Sequence, residues 1–414
     1  MTGAKLPPEI IHHILSIGNF GLTTLAKLAR VNSKFNVAVR LVLYRNVCLM
    51  TESEALLFDR SIKECPELGK LTKSVRVIGD SLNPRCLQQI GQTLRHLPSL
   101  KTFFYSAAYY VITFDDMFKG PTPFQLQSVD ISSIISFDDV AKYFQLSGIE
   151  ILRLAGDLVN ARDDQTTLLA ARTDHHQYSL KQLTLDVWRD YSVELDVLLL
   201  HCPLLESFSY TASDPACRQQ PPLTSPAALS QVLGHCKQTL TTLELAYSDG
   251  DVDGTRVDLS CLQTLRNLKA HSCYLFQRDE RNNPAARTGF YARLPSSLEK
   301  LEIIFMPTTS AFEVREIGDI GWTPHQITAP YELQNHNWLV ELMSGKKTYL
   351  RNLSHIHVKE ITEARHHHMR FRETMKKGST NHDRLPSVDD RLRSLENTFR
   401  AADITLELDI RDFY

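Results

Sequence analysis

Residues 193–210 read VELDVLLLHCPLLESFSY. The first part, VELDVLLLHCPLL, reads as a helix followed by a turn. The last six residues, LESFSY, place Leu205, Phe208 and Tyr210 in the pattern apolar-x-x-apolar-x-apolar. The alternation at its end makes a short strand with one buried face, and the leading leucine plugs the turn into that strand. So small a unit of helix, turn and strand cannot bury its own apolar face, so it must stack on others of its kind.

The phrase recurs. It appears as LKTFFY (100–105), LQSVDI (126–131), IEILRL (149–154), LKQLTL (180–185), LTTLEL (240–245), LKAHSC (268–273), LEKLEI (298–303) and LSHIHV (353–358), with a weaker copy, TKSVRV, from Thr72. Start-to-start spacings are 28, 26, 23, 31, 25, 35, 28, 30 and 55 residues. Most lie at or just above the roughly 20–29 residues of a leucine-rich repeat. Helical stretches precede several copies: PRCLQQIGQTLRHLPSL, FDDVAKYFQLSG and AALSQVLGHCKQTL. The expected fold is therefore α/β. Stacked strands form a curved parallel sheet on the inside, with helices outside. The repeats lack an asparagine ladder and are irregular.

Loops interrupt the array. SDPACRQQPPLTSP (213–226) is rich in proline and polar residues, and QRDERNNPAARTG (277–289) is charged and reads as a similar loop. The interval 306–350 is too long for one repeat and holds Trp322, Tyr331, Trp338 and Tyr349. The expected division is a helical domain over 1–50, the repeat array over 51–360 with an insertion at about 306–350, and a basic linker over 361–387. A C-terminal helix and strand over 388–414, including ITLELDI (404–410), close the array.

Composition narrows the function classes. Over 414 residues the chain is 43% hydrophobic and 23% charged, with a formal net charge of −2. That balance suits a globular protein with a real core and gives no case for broad binding to nucleic acid or an anionic membrane. No apolar run approaches membrane-spanning length. The eight cysteines are scattered, with no C-x-x-C pair; several lie in apolar stretches such as LLLHCPLLESF and read as buried free thiols, which suits a reducing compartment. With no signal-peptide pattern, a cytoplasmic or nuclear location is expected.

The first fifty residues read as three short helices. Pro7 and Pro8 suit a first turn, and Glu9 suits the positive end of the helix dipole. Ile10, Ile11, Ile14 and Leu15 make one apolar face, and Gly18 and Gly21 end the helix. Thr23 or Thr24 can cap a second helix, and Asn32 or Ser33 a third, NSKFNVAVRLVLYRNV. Three such helices bury little surface, so they must lean on something else. The order and spacing of Leu6, Pro7, Glu9, Ile14, Leu15, Leu25, Val31, Ser33, Lys34 and Phe35 resemble the F-box, over residues 6 to about 49. The family usually carries a leucine where this chain has Gly18; Phe20 is expected to supply the bulk. The irregular repeats resemble those that follow F-boxes in fungal and animal proteins.

Four stretches carry residue types that serve catalysis, metal binding or ligand stacking elsewhere. GDSL (79–82) copies the nucleophile phrase of a hydrolase family, but the family's Asp-x-x-His occurs nowhere in the chain. DGDVDG within 249–254 copies the start of a calcium loop, but the twelfth position is Ser260 rather than glutamate. His366, His367 and His368 are adjacent, which does not aim them at one metal, and Arg365, Arg370, Arg372, Lys376 and Lys377 make their surroundings basic. Tyr105, Tyr109 and Tyr110 could stack on a ligand, but filling a core is the commoner use. No catalytic, cofactor-binding or metal-ligating residue is assigned.

The resemblance implies a substrate-recognition subunit of a Skp–cullin–F-box ubiquitin ligase, serving ubiquitin-dependent degradation without a catalytic residue of its own. The F-box would bind a Skp-family adaptor, and through it cullin, by Leu6, Pro7, Glu9, Ile10, Ile14, Leu15, Leu25, Val31, Ser33 and Phe35. Alternatives are a binding scaffold uncoupled from ubiquitin transfer and, less favoured, a GDSL-type hydrolase. Along the strands, period-two alternation aims Thr184, Ser209, Glu244 and Glu302 at the concave surface, where a protein substrate would sit. With Asp249, Asp251, Asp253 and Asp258 near Glu244, a substrate segment of basic character is expected there.

Overall fold

Proline and asparagine set the first helices. Pro7 precedes helix Pro8–Ile17, and the Gly18 N–H closes it on the Ile14 carbonyl at 2.9 Å. Helix Leu22–Ala29 begins after Gly21 with no side-chain cap, so neither Thr23 nor Thr24 performs that role. Helix Ser33–Arg45 is capped by Asn32, whose side chain accepts from the Phe35 N–H at 3.0 Å. It stops at Arg45, and Asn46–Leu49 form strand β1 instead of a last helical turn. The computed structural model describes residues 6–18, 20–79, 82–118, 120, 122–144, 146–156, 158–159, 178–187, 192–212, 225–247, 255–305, 311–312, 336–361 and 388–409.

The chain forms two compact units, Met1–Val187 and Trp188–Tyr414. In the first, β1 pairs with β2 (Ser74–Ile78), then follow β3 (Thr102–Ile112), β4 (Ser128–Ser136), β5 (Ile151–Gly156) and β7 (Gln182–Val187), all parallel. The short β6 (Leu158–Val159) pairs with β4. A boundary near residue 50 therefore runs just past β1, which already belongs to this sheet. In the second unit, β8 (Ser207–Ala212), β9 (Thr242–Tyr247), β10 (Asn267–His271), β11 (Lys300–Phe305), β12 (His355–Glu360) and β13 (Thr405–Asp409) run parallel in chain order. Each unit is thus an α/β sheet whose strands follow one another in chain order, apart from the short β6.

The repeated phrase explains the core. The strand pairs Phe103 and Tyr105, Val129 and Ile131, Leu152 and Leu154, Leu183 and Leu185, Phe208 and Tyr210, and Leu243 and Leu245 are all buried. So are the leading residues Leu100, Leu126, Ile149, Leu180, Leu205 and Leu240. Helices Pro84–Leu94, Phe137–Phe144, Ser192–Leu200 and Pro226–Leu233 stand where the helical stretches were read. Helix Pro84–Leu94 packs closely at Gly91, where a Cβ would sit 2.1 Å from the Asp116 carbonyl oxygen. Helix Glu52–Glu64 opens on a capping box formed by Thr51 and Glu54.

One copy of the phrase was misphased. Leu243 pairs in register with Leu268, and Leu268 with Leu301. The leading residue is therefore Leu265, buried like its equivalents, and the copy reads LRNLKA rather than LKAHSC. The last inward position is filled by Ala270, a small residue that weakened the pattern.

Candidate protein-interaction surfaces

The N-terminal helices close on a core of only five buried residues, Ile11, Leu15, Leu25, Ala38 and Val39, with Phe35, Val42 and Leu43 packed at its margin. Much apolar side chain stays outside. Leu6, Ile10, Ile14 and Phe20 are exposed, Ile17 is 71% exposed, and Val31 and Val37 are 60% exposed each. The Phe20 ring lies over Gly18, whose Cβ would meet it at 2.1 Å, so Phe20 fills the place expected of it. Of the ten residues expected at an adaptor, Leu6, Pro7, Glu9, Ile10, Ile14, Val31 and Ser33 are on the surface. Leu15 and Leu25 are not, because they are the cluster's own core, and Phe35 is half-buried against it. Successive helical residues lie about 100° apart, so Ile14 can face solvent while Leu15 faces inward.

The strand residues between the buried ones form rows across each sheet. In the second unit one row reads Ser209, Glu244, Lys269, Glu302, His357, Glu407. The Lys269 ammonium sits 2.6 Å from the Glu244 carboxylate. That hydrogen bond, opposed by burial and aided by the charges of Glu244 and Glu302, raises the Lys269 pKa. His357 lies 3.9 Å from Glu302, and His355, one row away, lies 3.8 Å from Glu407. Carboxylates thus alternate with basic side chains on successive strands. Glu244 and Glu302 occupy the expected half-exposed face, but the face is mixed rather than acidic. Misphasing LKAHSC concealed Lys269, which occupies the same strand position as Glu244. Asp258 accepts from the Ser260 hydroxyl at 2.6 Å and serves its own turn. Asp249, Asp251 and Asp253 lie outside the described residues.

In the first unit the matching row is Cys48, Arg76, Phe104, Asp130, Arg153, Thr184. The Arg76 guanidinium lies over the Phe104 ring at 4.4 Å, and Arg153 approaches Asp130 at 3.9 Å. Burial raises the Asp130 pKa, against the pull of Arg153 and Arg76. Thr184 is half-exposed on this face, as expected.

The charged stretch 277–289 is not an open loop. It folds into helix Arg278–Asn282 and a short 3-10 turn, Pro284–Ala286, and a second turn, Phe290–Arg293, follows it; Arg287 between the turns is 1% exposed. Arg287 donates to the carbonyls of Glu280 at 2.7 Å, Ala311 at 2.8 Å and Arg281 at 2.8 Å. Its guanidinium packs 4.8–5.7 Å from the ring centres of Phe305, Phe276 and Trp338. Burial pulls its pKa down to about 9 against the opposing charges of Glu360 and Glu280, so it is charged at neutral pH. Glu280 in turn contacts Arg256, and Glu360 accepts from the Ala311 N–H at 2.7 Å. Trp338 and the insertion helix Asn337–Thr348 belong to this cluster; Trp322 and Tyr331 lie outside the described residues.

The remaining chemical motifs gain nothing. Gly79 and Leu82 are buried, while Asp80 and Ser81 lie outside the described residues, as do 249–254 and His366–His368. Tyr105 is buried core rather than a ligand platform, and the side chains of Tyr109 and Tyr110 are outside the described set. No metal-holding group of His, Cys, Asp or Glu occurs among the described residues, and no described helix is long and apolar enough to cross a membrane. Cys202, Cys236 and Cys273 are buried free thiols; burial pushes Cys236 up to about 11 and Cys273 up to about 12.

Compared with known protein families and with curated proteins, the chain matches none. Among solved structures, the crystal structure of a TLR13–ssRNA13 complex is similar over 70% of this chain and 46% of that one, with 12% identity and a TM-score of 0.25. The chain therefore covers less than half the length of that protein.

Proposed function

We propose that the protein is the substrate-recognition subunit of a Skp–cullin–F-box ubiquitin ligase. The N-terminal helices, read as an F-box, dock a Skp-family adaptor. The strands, read as irregular leucine-rich repeats, offer their half-exposed residues to a protein substrate. The protein then performs no bond chemistry; it raises the local concentration of substrate lysine near the charged ubiquitin enzyme. The observation that carries this reading is the apolar surface of Leu6, Ile10, Ile14, Ile17, Val31 and Val37 on a cluster with a five-residue core. Exposed apolar patches of this kind mark interaction sites. The mixed row through Glu244, Lys269 and Glu302 suits a partner that meets both signs of charge.

The test is capture of a purified Skp-family adaptor by the full-length protein and by its Leu6→Ala/Pro7→Ala variant. Wild type should retain adaptor and the variant should lose it. Equal retention by both sinks the F-box reading. Cullin-dependent ubiquitylation of captured substrate then separates a ligase subunit from a scaffold that merely keeps the adaptor.

A further inference from the structure

The residue just before each strand of the first unit occupies one register row, fixed by main-chain bonds. The Lys73 N–H donates to the Arg45 carbonyl at 2.9 Å, Lys101 to Lys73 at 2.8 Å, Gln127 to Lys101 at 2.8 Å, Glu150 to Gln127 at 2.9 Å and Lys181 to Glu150 at 2.8 Å. Some charges at this position are paired. Glu150 and Lys181 meet at 3.3 Å, and in the second unit Arg266 and Glu299, which hold the same place, meet at 3.7 Å. Arg45, Lys73 and Lys101 differ. All three are exposed, and none forms an ion pair with a described carboxylate. Adjacent strands stand about 4.8 Å apart. Like charges at neighbouring places of a sheet are unfavourable, and no ion pair with a described carboxylate offsets these three.

The asymmetry extends upstream. Residues 10–51 carry Lys27, Arg30, Lys34, Arg40 and Arg45 and no carboxylate, in a chain whose net charge is −2. All five are exposed.

We propose that the rim formed by Arg45, Lys73 and Lys101 is a docking surface for an acidic segment of a protein partner. Charge complementarity names the chemistry. The row spans only two strand intervals, about 10 Å, which fits a few carboxylates. The helix that ends at Arg45 also exposes apolar Val37. Carboxylate beside apolar side chain is a protein's surface; a nucleic-acid backbone offers phosphate alone, and no exposed ring in this row provides a stacking platform for bases. The inference does not need the adaptor assignment, since its probe does not touch Leu6 or Pro7.

The experiment measures fluorescence anisotropy of labelled octaglutamate with the full-length protein at low and moderate salt. The partners are wild type, Lys73→Glu/Lys101→Glu, and a control reversal at exposed positions elsewhere, Lys237→Glu/Lys347→Glu. Wild type should bind at low salt and weaken as salt rises. The rim variant should bind at least tenfold more weakly, and the control variant should match wild type. A thermal midpoint no lower than wild type shows that the rim variant is folded; if it is lower, the milder Lys73→Gln/Lys101→Gln pair takes its place with the same expectation. Equal binding by wild type and rim variant overturns the proposal, as does equal loss in rim and control variants. An eight-nucleotide single strand that binds more tightly than octaglutamate, and is lost in the rim variant alone, overturns it in favour of a phosphate site.

Discussion

Replacing Arg287 with methionine tests whether a buried charge organises the loops of the second unit. The substitution keeps most of the bulk among Phe276, Phe305 and Trp338 but removes the fork that serves three carbonyls, those of Glu280, Ala311 and Arg281. It also strips Glu280 and Glu360 of a neighbouring cation. Leaving a buried acceptor without its donor costs about 1–3 kcal/mol, so three orphaned carbonyls, partly relaxed, should cost about 3–5 kcal/mol together. Arg287→Lys retains the charge as a point donor and cannot span three acceptors, so about 2–3 kcal/mol is expected. Urea unfolding of the full chain, followed by tryptophan fluorescence, reads both, since Trp338 lies 5.7 Å from the guanidinium. A methionine variant within about 0.5 kcal/mol of wild type, the ordinary range of a surface change, would refute the reasoning. So would a lysine variant less stable than the methionine one.

Leu243→Ala empties a fully buried strand position and should cost about 2–5 kcal/mol, with protease sensitivity spreading to neighbouring strands; unchanged proteolysis contradicts the stacked-repeat account. Burial works to raise the Asp59 pKa, but bonds from Lys63, Thr93 and Gln89 outweigh it and leave the pKa lowered. A depressed carboxylate contributes stability above its unfolded value, near 3.9, that disappears as pH falls through the folded value. Asp59→Asn should therefore be less stable at neutral pH, and the gap should close below about pH 4; a gap that widens on acidification refutes the sign. Glu244→Gln and Glu302→Gln should each change the urea midpoint by the equivalent of less than about 1 kcal/mol, because half-exposed pairs contribute little. A larger loss would make the row structural rather than a surface available for recognition.

How much of this was legible in the sequence follows from which forces are local. The phrase apolar-x-x-apolar-x-apolar fixed strand, buried face and leading plug at nearly every copy, because period-two alternation and burial act over six residues. Helix Ser33–Arg45 was legible through its cap, Asn32, a bond made within three residues. The capping box at Thr51 and Glu54 was equally local and could have been read from T-x-x-E before an apolar run. The misphased LKAHSC shows the limit: Ala270 carries too little apolar signal, and only pairing with β9 and β11 sets the register that puts Lys269 beside Glu244. Arg287 marks the other limit. In sequence it is one charge in a polar stretch, and only tertiary packing brings Glu280, Ala311, Glu360 and Trp338 around it. The row Arg45, Lys73, Lys101 is likewise invisible along the chain, since its members are 28 residues apart and meet only through the parallel register of β1, β2 and β3. Sequence determined which residues prefer to be buried; the stacking of successive units decided which charges face one another.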